Sequence, residues 1–194
     1  FGLTGSLKTS RKGVGEFALV VRGRAAHAGL NPEAGASAVL ELSHQIQRLF
    51  ALNDPAQGVS VNVGTIDGGL GSNVVAPEVR ASIDVRVPTA ADATRVEASI
   101  RALEPVTPGT SLEISGGFHH APLEPGARNR ALWILAQSIG QRLGVELAEA
   151  SVGGASDGNT TSQYTATLDG LGAVGDGAHA AHEYVDASKL AERA

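Results

Sequence analysis

The feature that most limits what this chain can fold into is the succession of apolar periods between Gly13 and Gly116. From Val14 to Arg24, Phe17, Leu19 and Val21 recur every second residue, which marks the buried face of a strand. From Gly35 to Asn53, Val39, Leu42, Ile46, Leu49 and Phe50 recur at i, i+3, i+7, i+10 and i+11, one stripe of a helical period, and Pro32 stops that helix extending backwards. His44 falls off the stripe and is expected in solvent. Asn53-Asp54-Pro55 breaks the chain, after which Val59, Val61, Val63 and Thr65 alternate as a second strand. Val79, Ala81, Ile83, Val85 and Val87 form a third, with Arg80, Ser82, Asp84 and Arg86 on its other face. Thr89 and Asp92 make a capping-box-like start for a helix carrying Val96, Ile100 and Leu103, and Leu112 and Ile114 alternate in a fourth strand. Strand, helix, strand, strand, helix, strand is the split βαβ order. It predicts an α+β, ferredoxin-like unit: a four-stranded antiparallel sheet with two helices on one face. Such a scaffold hosts many functions and specifies none.

From Gly117 onward the texture changes to loops rich in Gly and Pro. A helix is expected from Ala127 to Leu143, with Trp133, Ala136, Ile139, Gly140 and Leu143 along one side, then a short strand over Val145 to Leu147. Ser156 or Asp157 caps a short helix running toward Tyr164, and another short strand is expected within Thr165 to Val174. These elements alternate as part of an α/β layer but supply too few strands to close one. The chain lacks methionine, opens on Phe1-Gly2-Leu3, and stops about two turns into a helix capped by Asp186. The expectation is therefore a piece of a longer protein, with the missing strands ahead of residue 1.

Composition excludes several classes. A net charge of −5 argues against nucleic acid, whose phosphates need a clustered basic face. Lys8, Arg11 and Lys12 are the one local basic cluster and are expected to flank a strand in solvent. The chain has no cysteine, so disulfides and thiolate metal sites are absent. No apolar run approaches the roughly 20 residues of a membrane span, so a membrane role is not expected and a cytoplasmic location is. The turn Asp67-Gly68-Gly69-Leu70-Gly71-Ser72-Asn73 lacks the GxxxxGK[ST] spacing of a phosphate-binding loop.

Four stretches place chemistry-bearing residues among small ones: Gly23-Arg24-Ala25-Ala26-His27-Ala28-Gly29, Gly71-Ser72-Asn73-Val74-Val75-Ala76-Pro77, Gly153-Gly154-Ala155-Ser156-Asp157, and Gly175-Asp176-Gly177-Ala178-His179-Ala180-Ala181-His182-Glu183-Tyr184. Small neighbours let a backbone, a substrate or a metal approach an imidazole closely. Read alone, each has a plain alternative. His27 at a strand end is a binding group or a turn cap, and Arg86 is a carboxylate ligand or the partner of Asp84 or a cross-strand acid. His179 is a metal ligand or a surface histidine, and His182 is read as a surface residue.

In this order and at these separations, together with Asp84-Val85-Arg86, the stretches resemble the zinc-dependent carboxypeptidase and aminoacylase metallopeptidases, most closely their glutamate carboxypeptidase branch. The resemblance implies residues 1–12 as the end of an amino-terminal catalytic segment, 13–116 as an inserted lid used for dimerisation, and 117–194 as the carboxyl-terminal part of the catalytic domain. It makes His179 the family's last zinc ligand, out of a set that holds two zinc ions, the other ligands lying ahead of Phe1. It makes His27 the lid histidine that reaches a partner subunit's site to stabilise an oxyanion, and Asn73 and Arg86 contacts for the substrate's carboxylate end. Gly153 and Gly154 become positions of close backbone approach to substrate. One departure stands out: the family often carries an arginine after the lid where this chain has His120, within Gly116-Gly117-Phe118-His119-His120-Ala121-Pro122, which puts a preference for acidic side chains in doubt.

Two readings follow. The first is a metal-dependent hydrolase of an amide or peptide bond next to a free carboxylate, acting on a small peptide or N-acyl amino acid as a homodimer through its lid; this piece alone would be inactive. The second is a non-catalytic dimerisation or small-ligand module with a ferredoxin-like fold.

Overall fold

The computed structural model describes residues 6–178 and 180–193. In chain order its elements are strands β1 (Leu7–Arg11) and β2 (Gly13–Arg22), helix α1 (Ala38–Phe50), strands β3 (Ser60–Gly68) and β4 (Glu78–Val87), helix α2 (Ala90–Arg101) and strand β5 (Ser111–His120). Helix α3 (Ala127–Leu143), strand β6 (Glu149–Val152), helix α4 (Asp157–Tyr164), strands β7 (Gly175–Asp176) and β8 (Tyr184–Val185) and helix α5 (Leu190–Arg193) follow. Two compact units result, Gly13–Ala121 and Phe1–Lys12 with Pro122–Ala194.

In the unit Gly13–Ala121 the sheet runs β3-β4-β2-β5, every pair antiparallel. The period-two residues do the work expected of them: Phe17, Leu19 and Val21 of β2 and Val79, Ala81, Ile83, Val85 and Val87 of β4 are all buried against Leu42, Leu49, Val96 and Ile100 of the two helices. Thr89 caps α2, its hydroxyl accepting the Asp92 amide at 3.1 Å. Phe118 meets Phe17 edge to face at 6.0 Å between centroids, and Arg101 lies over the other ring.

Several expectations need correcting. Helix α1 starts at Ala38, capped by Ser37, and is turned from the stripe read off the sequence. Its buried residues are Ala38, Glu41, Leu42, Gln45 and Leu49, while Val39 and Phe50 remain 49% and 46% exposed. The cause is the α2–β5 connection, which takes Glu41 and Gln45 as polar anchors: the Glu41 carboxylate accepts the Val106 and Thr107 amides, and Gln45 donates to the Glu104 carbonyl. His44 is half-buried rather than in solvent. Strand β5 does not stop near Gly116 but continues to His120, because its pairing with β2 survives a bulge between Val14 and Gly15.

In the second unit β1 and β6 pair in parallel. The basic cluster is not in solvent. Lys8 and Arg11 lie on β1, where Lys8 is buried and donates to the Ser6 carbonyl, and Gly170, at φ +82°, leaves room for its stem. A Cβ on Gly170 would stand 2.5 Å from Lys8 Cδ. The stripe expected on α3 is only partly buried: Trp133 and Gly140 are inside with Asn129, whereas Ile139 and Leu143 are exposed. Val145 to Leu147 forms no strand, because the chain turns at Gly144 and returns the Val145 amide to the Gly140 carbonyl at 2.8 Å. Thr165 to Val174 forms none either: the Thr167 amide goes to the Asn129 side chain and Asp169 makes a lone bridge to Lys8.

Candidate functional site

The loop from Arg24 to Ala36 is closed at its base by two bonds between those residues, each 2.9 Å from amide to carbonyl. Gly23 permits that closure, since a Cβ there would stand 2.0 Å from the Ala36 carbonyl oxygen. Along the loop the Val75 amide donates to the Ala26 carbonyl and the Ala28 amide to the Asn73 carbonyl, both at 2.9 Å, so His27 bridges Val74. Two loops distant in sequence are thereby fastened where β2 ends and β4 begins, with His27 paired to Val74 and Asn73 opposite Ala28, one residue along from that pair. The His27 and Asn73 side chains are exposed. The Gly29 amide donates to His27 Nδ1 at 3.1 Å, so Nε2 is the ring nitrogen that this bond does not use.

Arg86 is elsewhere. It sits opposite Val14, eight residues along β4 from Glu78 and so about 26 Å from the His27 end at about 3.3 Å per residue. Its guanidinium is already engaged with both oxygens of Asp84, at 2.8 and 2.7 Å, and that pairing pushes its pKa further up. Asn73 and Arg86 of one chain therefore do not meet on one small carboxylate. His120 lies across Val14 from Arg86, with Nδ1 buried and without a hydrogen-bond partner, its ring 5.0 Å from that of His119.

Gly153 and Gly154 belong to the other unit, exposed, with open space where a Cβ would stand. Their turn is held by Arg11 and Asp169, which the sequence did not flag as site residues, together with Ser156, which it read only as a helix cap. Arg11 donates through one guanidinium nitrogen to the Gly154 carbonyl at 2.8 Å and through Nε to Asp169 at 2.6 Å. The Ser156 hydroxyl donates to the same carboxylate and accepts the Gly158 amide at 3.1 Å, while the Ser156 amide donates to Asn159 in a capping box. Burial pushes the Asp169 carboxyl up, but Ser156, the Gly170 amide and Arg11 together outweigh it and hold it below the usual range. The sequence signal for this cluster was slight, an Asp-Gly turn at 169–170, because Arg11 and Asp169 are 158 residues apart.

His179, the expected metal ligand, lies outside the described residues. Among the described residues no three histidine, aspartate or glutamate side chains converge to hold a metal, and no helix is long and apolar enough to cross a membrane.

Residues 9–103 match the family described as peptidase dimerisation domain. A peptidase M20 domain-containing protein of Schizosaccharomyces pombe is 33% identical over 85 residues, 42% of this chain and 21% of the relative. A probable carboxypeptidase of Aspergillus flavus is 35% identical over 94 residues, 42% of this chain and 22% of the relative. Among solved structures, the aminopeptidase PepT of Bacillus cereus superposes with a TM-score of 0.78 at 18% identity, covering 97% of this chain and 51% of that one. A tripeptidase of Staphylococcus aureus superposes at 0.75 and 21% identity, covering 92% and 48%. The matched stretch thus spans about a fifth of these fungal relatives, and the chain about half of these bacterial structures; at such identities the structures speak for the fold.

Proposed function

Because the chain carries the dimerisation domain of the M20 peptidases over residues 9–103, we propose that it serves a hydrolase that cleaves an amide or peptide bond next to a free carboxylate, in a small peptide or N-acyl amino acid. The observation that carries this reading is the fastening of the His27 loop to the Asn73 loop by main-chain bonds on either side of the His27–Val74 pair, at an exposed loop pair where Nδ1 of the imidazole is engaged by the Gly29 amide. An N–H fixed on a rigid scaffold suits the oxygen of a tetrahedral intermediate, because its position need not reorganise as charge develops. Asn73, on the loop fastened to that of His27, supplies amide donors for the substrate's carboxylate end.

Neither residue has an acid or base partner within its own loop pair, so the reading includes a second copy. Strand β3 is a sheet edge, and beside it α1 leaves Val39 and Phe50 exposed on one side while Ile66 is exposed on β3 itself. Edges of this kind pair readily. An antiparallel two-fold through β3 sets the His27 end of one copy beside the Arg86 end of the other, which accommodates both residues as substrate contacts without requiring them to meet within one protomer. For the other unit the resemblance alone proposes Gly153 and Gly154, whose backbone is open, as substrate contacts.

Zinc enters by resemblance. The described residues do not by themselves form a centre, which needs three or four protein ligands; His179 is the one position of this chain proposed to contribute, with up to two ions held in the longer protein. When bound, zinc would polarise the scissile carbonyl.

The test uses the longer natural protein with a panel of dipeptides and N-acyl amino acids. His27→Ala should lower kcat by about 10²–10³ while leaving the fold intact. Mixing His27→Ala with His179→Ala protein should restore activity at one site of each mixed dimer, since each variant supplies what the other lacks. Unchanged kcat in His27→Ala, or no recovery in mixed dimers shown to form, would refute the catalytic or the cross-subunit role respectively.

A further inference from the structure

We infer that the backbone amide of Gly29 is a positioning group that selects, for the neutral His27 imidazole, the tautomer with its proton on Nε2, so the dimerisation domain presents an N–H donor, not a lone pair, at that nitrogen. A backbone N–H can only donate. The ring atom it meets at 3.1 Å must therefore offer a lone pair, which leaves Nδ1 without a proton and places the single proton of the neutral ring on Nε2. Turning the ring over would set a C–H against that amide, and an imidazolium would set N–H against N–H; both forfeit the bond.

The arrangement is built rather than incidental. The His27 carbonyl accepts the Leu30 amide at 3.3 Å and the Asn31 amide at 3.2 Å, so the chain turns tightly over 27–31 and brings the Gly29 amide back onto the ring. The Ala28 amide is tied to the Asn73 carbonyl at 2.9 Å, which fastens the same turn to the neighbouring loop. The glycine itself is not what matters. A Cβ at position 29 would stand 3.6 Å from His27 Cε1 and 3.7 Å from Nδ1, ordinary contact distances, so an alanine that keeps the amide fits.

The consequence is chemical. With Nε2 protonated, His27 complements an oxygen acceptor such as a carbonyl or oxyanion; it cannot take a proton or bind a metal through Nε2 without giving up the Gly29 bond. The identity of the acceptor rests on the function proposed above, whereas the tautomer does not.

The experiment is long-range proton–nitrogen NMR on the nitrogen-15-labelled chain in mildly alkaline buffer. The expected result is one tautomer with Nε2 protonated, and a scalar coupling across the hydrogen bond between the Gly29 nitrogen and His27 Nδ1. Gly29→Ala should keep both signatures. Gly29→Pro, which has no amide proton, should lose the coupling and show a second tautomer. A proton on Nδ1 in the wild-type chain, or no coupling in either the wild type or Gly29→Ala, overturns the inference even where Gly29→Pro fails to fold. A kcat unaffected by His27→Ala would sink the oxyanion role while leaving the tautomer standing, so the two failures are distinguishable.

Discussion

Replacing Glu41 with glutamine tests how the α2–β5 connection is fastened to α1. Glu41 has no exposed surface. Its two oxygens accept the Val106 amide at 3.1 and 3.0 Å, the Thr107 amide at 2.5 Å, and the Gln45 side-chain amide. The Thr107 hydroxyl is also buried and has no hydrogen-bond partner of good geometry. Glutamine has one acceptor oxygen and brings an NH₂ to a site already crowded with donors, so at least one backbone amide loses its partner and the remaining bonds lose their charge. An unsatisfied buried donor costs about 1–3 kcal/mol and charge-assisted bonds are worth about 1.5–3 each. A net loss of about 2–4 kcal/mol is expected after local relaxation, or roughly 5–15 °C in Tm for a chain of this length.

The pH dependence provides a second readout. Burial pushes the Glu41 carboxyl up, but the bonds from Gln45 and from the Thr107 and Val106 amides outweigh it, and its pKa falls below the ordinary 4.5. A carboxyl depressed in the folded state stabilises above its unfolded pKa and loses that contribution as pH falls through the folded value. The gap between wild type and Glu41→Gln should therefore be full at neutral pH, begin to close below about 4.5, and disappear once Glu41 is protonated. Urea denaturation across that range, with hydrogen exchange at the Val106 and Thr107 amides, makes the measurement. A neutral-pH difference under about 0.5 kcal/mol, the size of an ordinary surface substitution, or a gap independent of pH, would refute the reasoning.

Gly23→Ala should open the Arg24–Ala36 closure, because its methyl would stand 2.0 Å from the Ala36 carbonyl oxygen; faster proteolysis at the 24–36 loop is expected, and unchanged protection would count against the closure. Phe50→Asp or Val39→Asp, at half-exposed positions beside the β3 edge, should leave the fold intact and shift light scattering from dimer to monomer; dimers that persist in both would place the interface elsewhere. By itself the chain should retain less than one equivalent of zinc after dialysis, since no three ligands gather among its described residues, and stoichiometric retention would show that it carries more of the centre than His179.

The parts of this protein legible in sequence are those whose physics is local. Period-two alternation on β4 names five residues, Val79 to Val87, that are all inside, because successive strand side chains point to opposite faces whatever the partner strand is. Thr89 caps α2 because the bond spans three residues. The split βαβ order and the loop placement of His27 follow from the same short-range grammar. What only the tertiary structure decided are contacts between residues distant in sequence. Helix α1 has apolar residues on more than one face, and the polar grip of Glu41 and Gln45 on residues 104–107 selects the one that is buried. Lys8 looks like a surface lysine until Ser6 and Gly170 fold around it. Arg86 is a short-range exception: the sequence leaves it as a ligand or as an ion pair, and its guanidinium lies on Asp84, two residues away. His27 shows the division most plainly: its loop was readable from Ala25 to Gly29, but its pairing with Val74 depends on two main-chain segments more than forty residues apart meeting at one end of a sheet, a long-range closure that no local period encodes.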